Sequence, residues 1–103
     1  MRARSVNING KVSLDECIKV FLARDYYLHE RSADALVLSR SGNRFAVSIK
    51  RIPLELKIAI VGDNTVVSLK CDTFVLFDTG DLSRELVRLV GIIKSEATKY
   101  SLT

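Results

Sequence analysis

Two runs of alternating residues around a short turn limit most strongly what this chain can fold into. In residues 54–60 every second side chain is apolar, and residues 67–71 repeat the pattern after the turn sequence Gly62-Asp63-Asn64. Successive side chains of a β-strand point to opposite faces of the sheet, and Gly and Asn favour tight turns. The pattern therefore predicts an antiparallel hairpin with one apolar face to bury.

The same period of two recurs nearer the N-terminus. Residues 2–8 alternate as a short strand, and residues 26–31 and 35–40 read as a second hairpin around the connection 32–34. In this hairpin Tyr26 and Leu28 share one face, which places Arg31 on the other face.

One further segment leaves two interpretations open. Residues 44–51 alternate as well, but Pro53 follows and has no amide hydrogen to donate within a sheet. Either 44–51 and 54–61 are two strands joined by a tight bend, or the earlier segment is irregular or forms a sheet edge.

Two segments have helical spacing. Ser13 and Glu16 form an S-x-x-E capping box, in which each side chain satisfies the other residue's amide. The following apolar residues have the 3–4 spacing of one helix face; they are Leu14, Cys17, Ile18, Phe21 and Leu22. A second apolar stripe extends over residues 82–100, and Asp81 is the predicted N-cap of this longer helix.

These elements predict an α+β domain spanning residues 1–103. We expect an antiparallel sheet of four to six strands, with the short helix and the long C-terminal helix packed on the same face. The order resembles the β-α-β4-α arrangement of TATA-box-binding-protein-like folds and of the related helix-grip domains. This resemblance covers residues 2–99 as an order of elements without a family motif, and it implies that the open sheet face is available to nucleic acid.

The residues available for catalysis are few. The chain has one His and two Cys, and it lacks the common nucleotide-binding, hydrolase and zinc-protease motifs. His29 falls on a polar strand face, whereas Cys17 and Cys71 fall on apolar faces where burial disfavours the thiolate. We therefore expect no enzyme, no metal and no cofactor.

Composition and hydropathy also bear on location and source. No apolar run is long enough for a signal peptide or a membrane span, which favours the cytoplasm. The absence of Gln and the abundance of Ile, Val, Lys and Arg are typical of thermophilic proteins.

A basic group is one candidate site. Residues 1–51 hold ten Lys or Arg and five Asp or Glu, which concentrates the net charge of +4 in the N-terminal half. Lys and Arg on an open sheet face can hold the phosphates of nucleic acid, although a solvated surface or an acidic protein partner fits the same residues. The candidate phosphate-binding residues are Arg40, Arg44, Lys50, Arg51 and Lys57.

An apolar patch is the other candidate site. The stripe on the last helix is wider than the minimum needed to cover a sheet, and apolar residues also precede that helix. The surplus residues could form an exposed patch for dimerisation or for an apolar ligand; they are Val75, Leu76, Phe77, Val87 and Ile92. The sequence thus favours a small non-catalytic binding or assembly domain, a homodimer or a binder of an apolar ligand, with nucleic-acid binding as the alternative.

Overall fold

The computed structural model describes residues 2–42, 52–71 and 79–97. Within these ranges the elements follow the predicted β-α-β4-α order, and the α+β class is confirmed. The elements are β1 (Arg2–Asn9), α1 (Leu14–Leu22), β2 (Tyr27–Arg31), β3 (Ala35–Arg40), β4 (Leu54–Val61), β5 (Asn64–Cys71) and α2 (Thr79–Glu96).

The described strands form one antiparallel sheet in the order β1-β5-β4-β3-β2. The predicted β4–β5 hairpin is confirmed, and Gly62 has the positive φ of 62° that a two-residue type II′ turn requires at its first position. Strand β4 begins directly after Pro53, so the missing amide falls outside the ladder. The predicted segment 44–51 lies outside the described residues.

Both helices pack on the same face of this sheet, as predicted. Helix α1 contacts β2 and β3, and helix α2 contacts β1 and β5, so each helix covers a different half. Buried side chains from both helices and from all strands except β2 form one apolar cluster. Burial of this face supplies the main favourable term in folding.

The helix ends differ from the prediction in two details. The Ser13 hydroxyl accepts a hydrogen bond from the Glu16 amide at 3.3 Å, which confirms half of the capping box. The Ser13 amide, however, donates to the Ala97 carbonyl at 2.8 Å, so a backbone bond to the end of α2 replaces the Glu16 carboxylate. Asp81 is not the N-cap, because α2 begins at Thr79; acidic residues are favoured in a first turn as well as at a cap.

Thr65 is a polar residue buried in this apolar layer. Its hydroxyl donates to the Gly10 carbonyl at 2.8 Å and accepts from the Val12 amide at 3.3 Å. One side chain of β5 thereby fixes the backbone that connects β1 to α1. None of the helices in the described ranges has both the length and the apolar character needed to cross a membrane.

We expect Thr65→Val to lower the free energy of unfolding by about 1–3 kcal/mol, because it leaves a buried amide and a carbonyl without their partner at nearly constant volume. Thr65→Ser keeps the hydroxyl and should cost less. Urea denaturation followed by circular dichroism measures both variants. A Thr65→Val protein as stable as the wild type would contradict this role.

Candidate interaction surface

The face of the sheet opposite the helices, here called the open face, is built mainly from small side chains. Directly paired residues of antiparallel strands share a face, so the register places its residues in rows across the sheet. One row runs from Asn7 through Val66 and Ala59 to Ala35. The next two rows carry the charged residues of this face.

Charges on the described part of the open face are balanced. Lys57 and Lys70 lie there with Glu30 and Glu55, and Lys70 pairs with Glu55 at 3.4 Å. Tyr27 is the aromatic residue on this surface, half exposed at its β2 end. Two cations beside two carboxylates create little net attraction for a polyanion.

The predicted basic group is divided by the sheet. Lys57 is exposed on the open face, whereas Arg40 pairs in register with buried Leu54 on the helix side. The Arg40 guanidinium donates to the Ile52 carbonyl at 3.1 Å and lies 6.0 Å from the centre of the Tyr26 ring. The remaining candidates, Arg44, Lys50 and Arg51, lie outside the described residues.

The predicted apolar patch is also divided. Five positions along an α-helix turn through about 140°, so Val87 and Ile92 lie on different sides of α2. Ile92 is half-buried against the core, whereas Val87 is 65% exposed. The other candidates, Val75, Leu76 and Phe77, lie outside the described residues.

The titratable residues singled out in the sequence are not arranged as a catalytic centre. His29 is exposed on β2, and the thiols of Cys17 and Cys71 are buried. Burial raises the pKa of Cys17 to about 12, which keeps the thiol protonated and unreactive. The described residues contain no cluster of three or more His, Cys, Asp or Glu placed to hold a metal ion.

A groove of about 360 Å³ opens at one end of the sheet. Its charged lining residues are already engaged, since Lys70 pairs with Glu55 and Arg40 bonds to the Ile52 carbonyl. The rest of the lining includes Tyr27, Ser39, Pro53 and Leu54. We therefore do not assign a ligand to this groove.

The two edges of the sheet differ in how well they are protected. Strand β2 is short, and its pairing with β3 shifts register between Leu28 and Glu30. The prediction that Arg31 and Leu28 lie on different faces of the strand is wrong. The bulge at His29 adds one residue, which returns Arg31 to the helix side. There Arg31 bonds to the Asp15 carboxylate of α1. Short length, a bulge and charged residues all disfavour pairing with another strand.

Strand β1 has less of this protection: it carries Arg2 and Arg4, and no described strand pairs with its outer side. Its eight residues pair with β5 without a register shift, and it contains neither Pro nor a bulge. The hairpin loop of β4 and β5 is closed by a hydrogen-bonded pair, Val61 and Asn64, and such pairs alternate along the ladder. The alternation directs the backbone groups of Thr65, Val67 and Leu69 toward β1. The β1 residues paired with these three therefore direct their backbone groups toward β5. The alternate residues of β1 direct their N–H and C=O groups away from the sheet; they are Ala3, Ser5, Asn7 and Asn9.

The exposed side of α2 borders this free edge. Glu96, on the opposite side of the helix from Val87, pairs with Arg24 after α1 at 2.8 Å. Because Arg24 follows α1, the side of α2 that carries Glu96 faces α1. Val87 therefore lies on the side of α2 that faces away from α1, toward the β1 edge. We call the free edge of β1 together with Val87 the β1 margin.

The sequence alone does not single out the β1 margin as a site. Position 87 stands out by its place in the apolar stripe, but an edge strand is defined by strand order, which alternation does not give. Strands β1 and β5 are equally long and neither contains Pro, so these features do not tell the edge strand from the interior one.

Comparison with known proteins adds no relative. The chain matches no protein-family model, no curated protein and no solved structure. The resemblance noted from the sequence therefore remains one of element order, and the surfaces are interpreted from their own geometry.

The contact between Arg31 and Asp15 leads to a prediction about the pKa of Asp15. The hydrogen bond and the positive charge of Arg31 lower the pKa of the Asp15 carboxyl from 3.8. Because this folded-state pKa lies below the unfolded value, the pair stabilises the fold at pH above about 4, and the contribution is lost as the pH falls through the folded-state pKa.

Arg31→Gln should accordingly raise the pKa of Asp15 toward its ordinary value, as measured by an NMR titration of the carboxyl carbon. Arg24→Gln removes a different surface cation and should leave that pKa unchanged. An Asp15 pKa that is the same in Arg31→Gln and in the wild type would contradict the Arg31–Asp15 ion pair.

Proposed function

We propose that this protein is a small non-catalytic assembly domain that forms a homodimer through the β1 margin. The observation that carries the proposal is the exposure of Val87, which is 65% exposed beside a sheet edge that no described strand covers. A large apolar side chain next to unpaired backbone groups favours a protein partner, because a protein strand can satisfy both.

The energetics point to a modest affinity. Burying one Val side chain contributes at most about 1.5–3 kcal/mol, and a two-fold axis buries two of them. Association costs at least about 4 kcal/mol in lost translational and rotational freedom. Strand pairing must therefore supply the rest, and we expect a dissociation constant in the micromolar range.

The other expected functions have less support. Buried side chains of the described helices and strands pack into one apolar cluster, which disfavours an apolar ligand between the two layers. The described open face is balanced in charge, which disfavours nucleic acid. We place the protein in the cytoplasm, where the buried thiols of Cys17 and Cys71 stay reduced.

Val87→Lys should weaken self-association by at least tenfold, because it puts two positive charges at the dimer axis in place of two apolar groups. Val61→Lys is the matched control, since Val61 is also an exposed valine, at 58%, but lies at the β4–β5 turn. Sedimentation equilibrium over a range of concentrations measures both variants against the wild type.

A wild-type protein that stays monomeric at millimolar concentration, or one in which both variants weaken the dimer equally, would contradict the proposal. Salt provides an independent check. Each chain carries a net charge of +4, so added salt should strengthen self-association by screening repulsion. Binding to nucleic acid would instead appear as a complex with DNA or RNA that weakens steeply as salt is added.

A further inference from the structure

We infer that β1 pairs antiparallel with the β1 strand of a second copy, which joins the two described five-stranded sheets into one continuous sheet. This inference rests on the proposed homodimer and specifies how its backbone is joined. Three features support it: the outward backbone groups of β1, the distribution of charge along the strand, and the position of α2.

The free edge of β1 is self-complementary in its hydrogen-bonding groups. Every second residue, starting at Ala3, directs both its N–H and its C=O outward. A two-fold axis at Val6 sets Ser5 of each chain opposite Asn7 of the other. The backbone N–H and C=O groups of both residues point away from β5, so the amides of each chain can donate to the carbonyls of the other.

The charges of β1 favour an antiparallel partner over a parallel one. Arg2 and Arg4 lie in its first half, whereas Val6–Asn9 carries no charge. Antiparallel pairing about Val6 sets Arg4 opposite Ile8, so the charged half of one strand meets the uncharged half of the other. Parallel pairing in register would instead place Arg4 beside the same residue of the second copy.

The position of α2 suits the same axis. The helix packs over β1 and β5, and neighbouring strands lie about 4.8 Å apart. We take the axis of α2 to lie above the midline between β1 and β5, and the two-fold axis to lie midway between the two copies of β1. The two axes are then one strand spacing apart, about 5 Å, so the two copies of α2 lie about 10 Å apart. Packed helices are separated by 8–10 Å, so the two copies can make contact.

Val87 lies where that contact is expected. The bond between Ser13 and Ala97 places the end of α2 near the end of β1, so the two elements run in the same direction. Val87 is then near the middle of α2 and Val6 near the middle of β1. A single axis can therefore pass close to both. Gly91, one turn further on, has open space on its side-chain side, where an added Cβ would meet no atom within 4 Å, and this leaves room for the second helix.

Ser5→Pro tests the backbone pairing. The Ser5 amide points away from β5, so proline removes no hydrogen bond of the single chain but removes one per chain, two in all, at the proposed interface. We expect at least tenfold weaker self-association, measured by sedimentation equilibrium. Ser5→Ala is the matched control, because it removes the same hydroxyl and keeps the amide, and it should dimerise as the wild type does.

Amide hydrogen exchange in the wild-type protein gives a second test that needs no variant. Raising the concentration through the dimer range should slow exchange at Ala3, Ser5 and Asn7 by tenfold or more. The β2 amides should show no dependence on concentration. Exchange at Val6 should be slow throughout, because its amide bonds to β5.

The outcomes separate this inference from the proposed function. A protein that never dimerises overturns both. A dimer that is weakened by Val87→Lys, but that tolerates Ser5→Pro and shows no concentration-dependent protection in β1, overturns the strand pairing and leaves the assembly function standing. If Ser5→Pro fails to fold, the exchange result alone decides.

Discussion

The burial of one sheet face under two helices is the constraint on which the rest of this structure depends. Helix α1 covers the β2–β3 half and α2 covers the β1–β5 half, and their side chains meet in one core. The Ser13–Ala97 backbone bond and the Arg24–Glu96 ion pair hold the two helices against each other at the end of α2. Because α1 lies on one side of α2, the other side of α2 is left facing the β1 edge.

The same arrangement accounts for the difference between the two sheet edges. At β2 the bulge returns Arg31 to the helix side, where α1 supplies the carboxylate of Asp15. At β1 no described strand pairs with the outer side, and the backbone groups of alternate residues remain outward. A long, regular edge that no described strand covers is an aggregation hazard for a free monomer, so a partner that covers it is physically favoured.

Much of the fold could be predicted from the sequence, because local patterns determine it. Alternation identified β4 and β5, and the Ser13 cap with its apolar stripe identified α1. The face of Arg31 and the partner of the Ser13 amide could not be predicted, since the first depends on a bulge and the second on a residue 84 positions away. The site was the least predictable part, because strand order alone decides that β1 is an edge. Of the residues named in advance, Val87 is the one that the described structure places at the β1 margin.

The most direct measurement is an isotope-filtered NMR experiment on a sample that mixes labelled and unlabelled copies. It detects only contacts between different chains. We expect intermolecular contacts among the protons of β1, around Val6, and between the Val87 methyl groups. Intermolecular contacts confined to the open face, at Val66 or Ala59, would contradict this expectation.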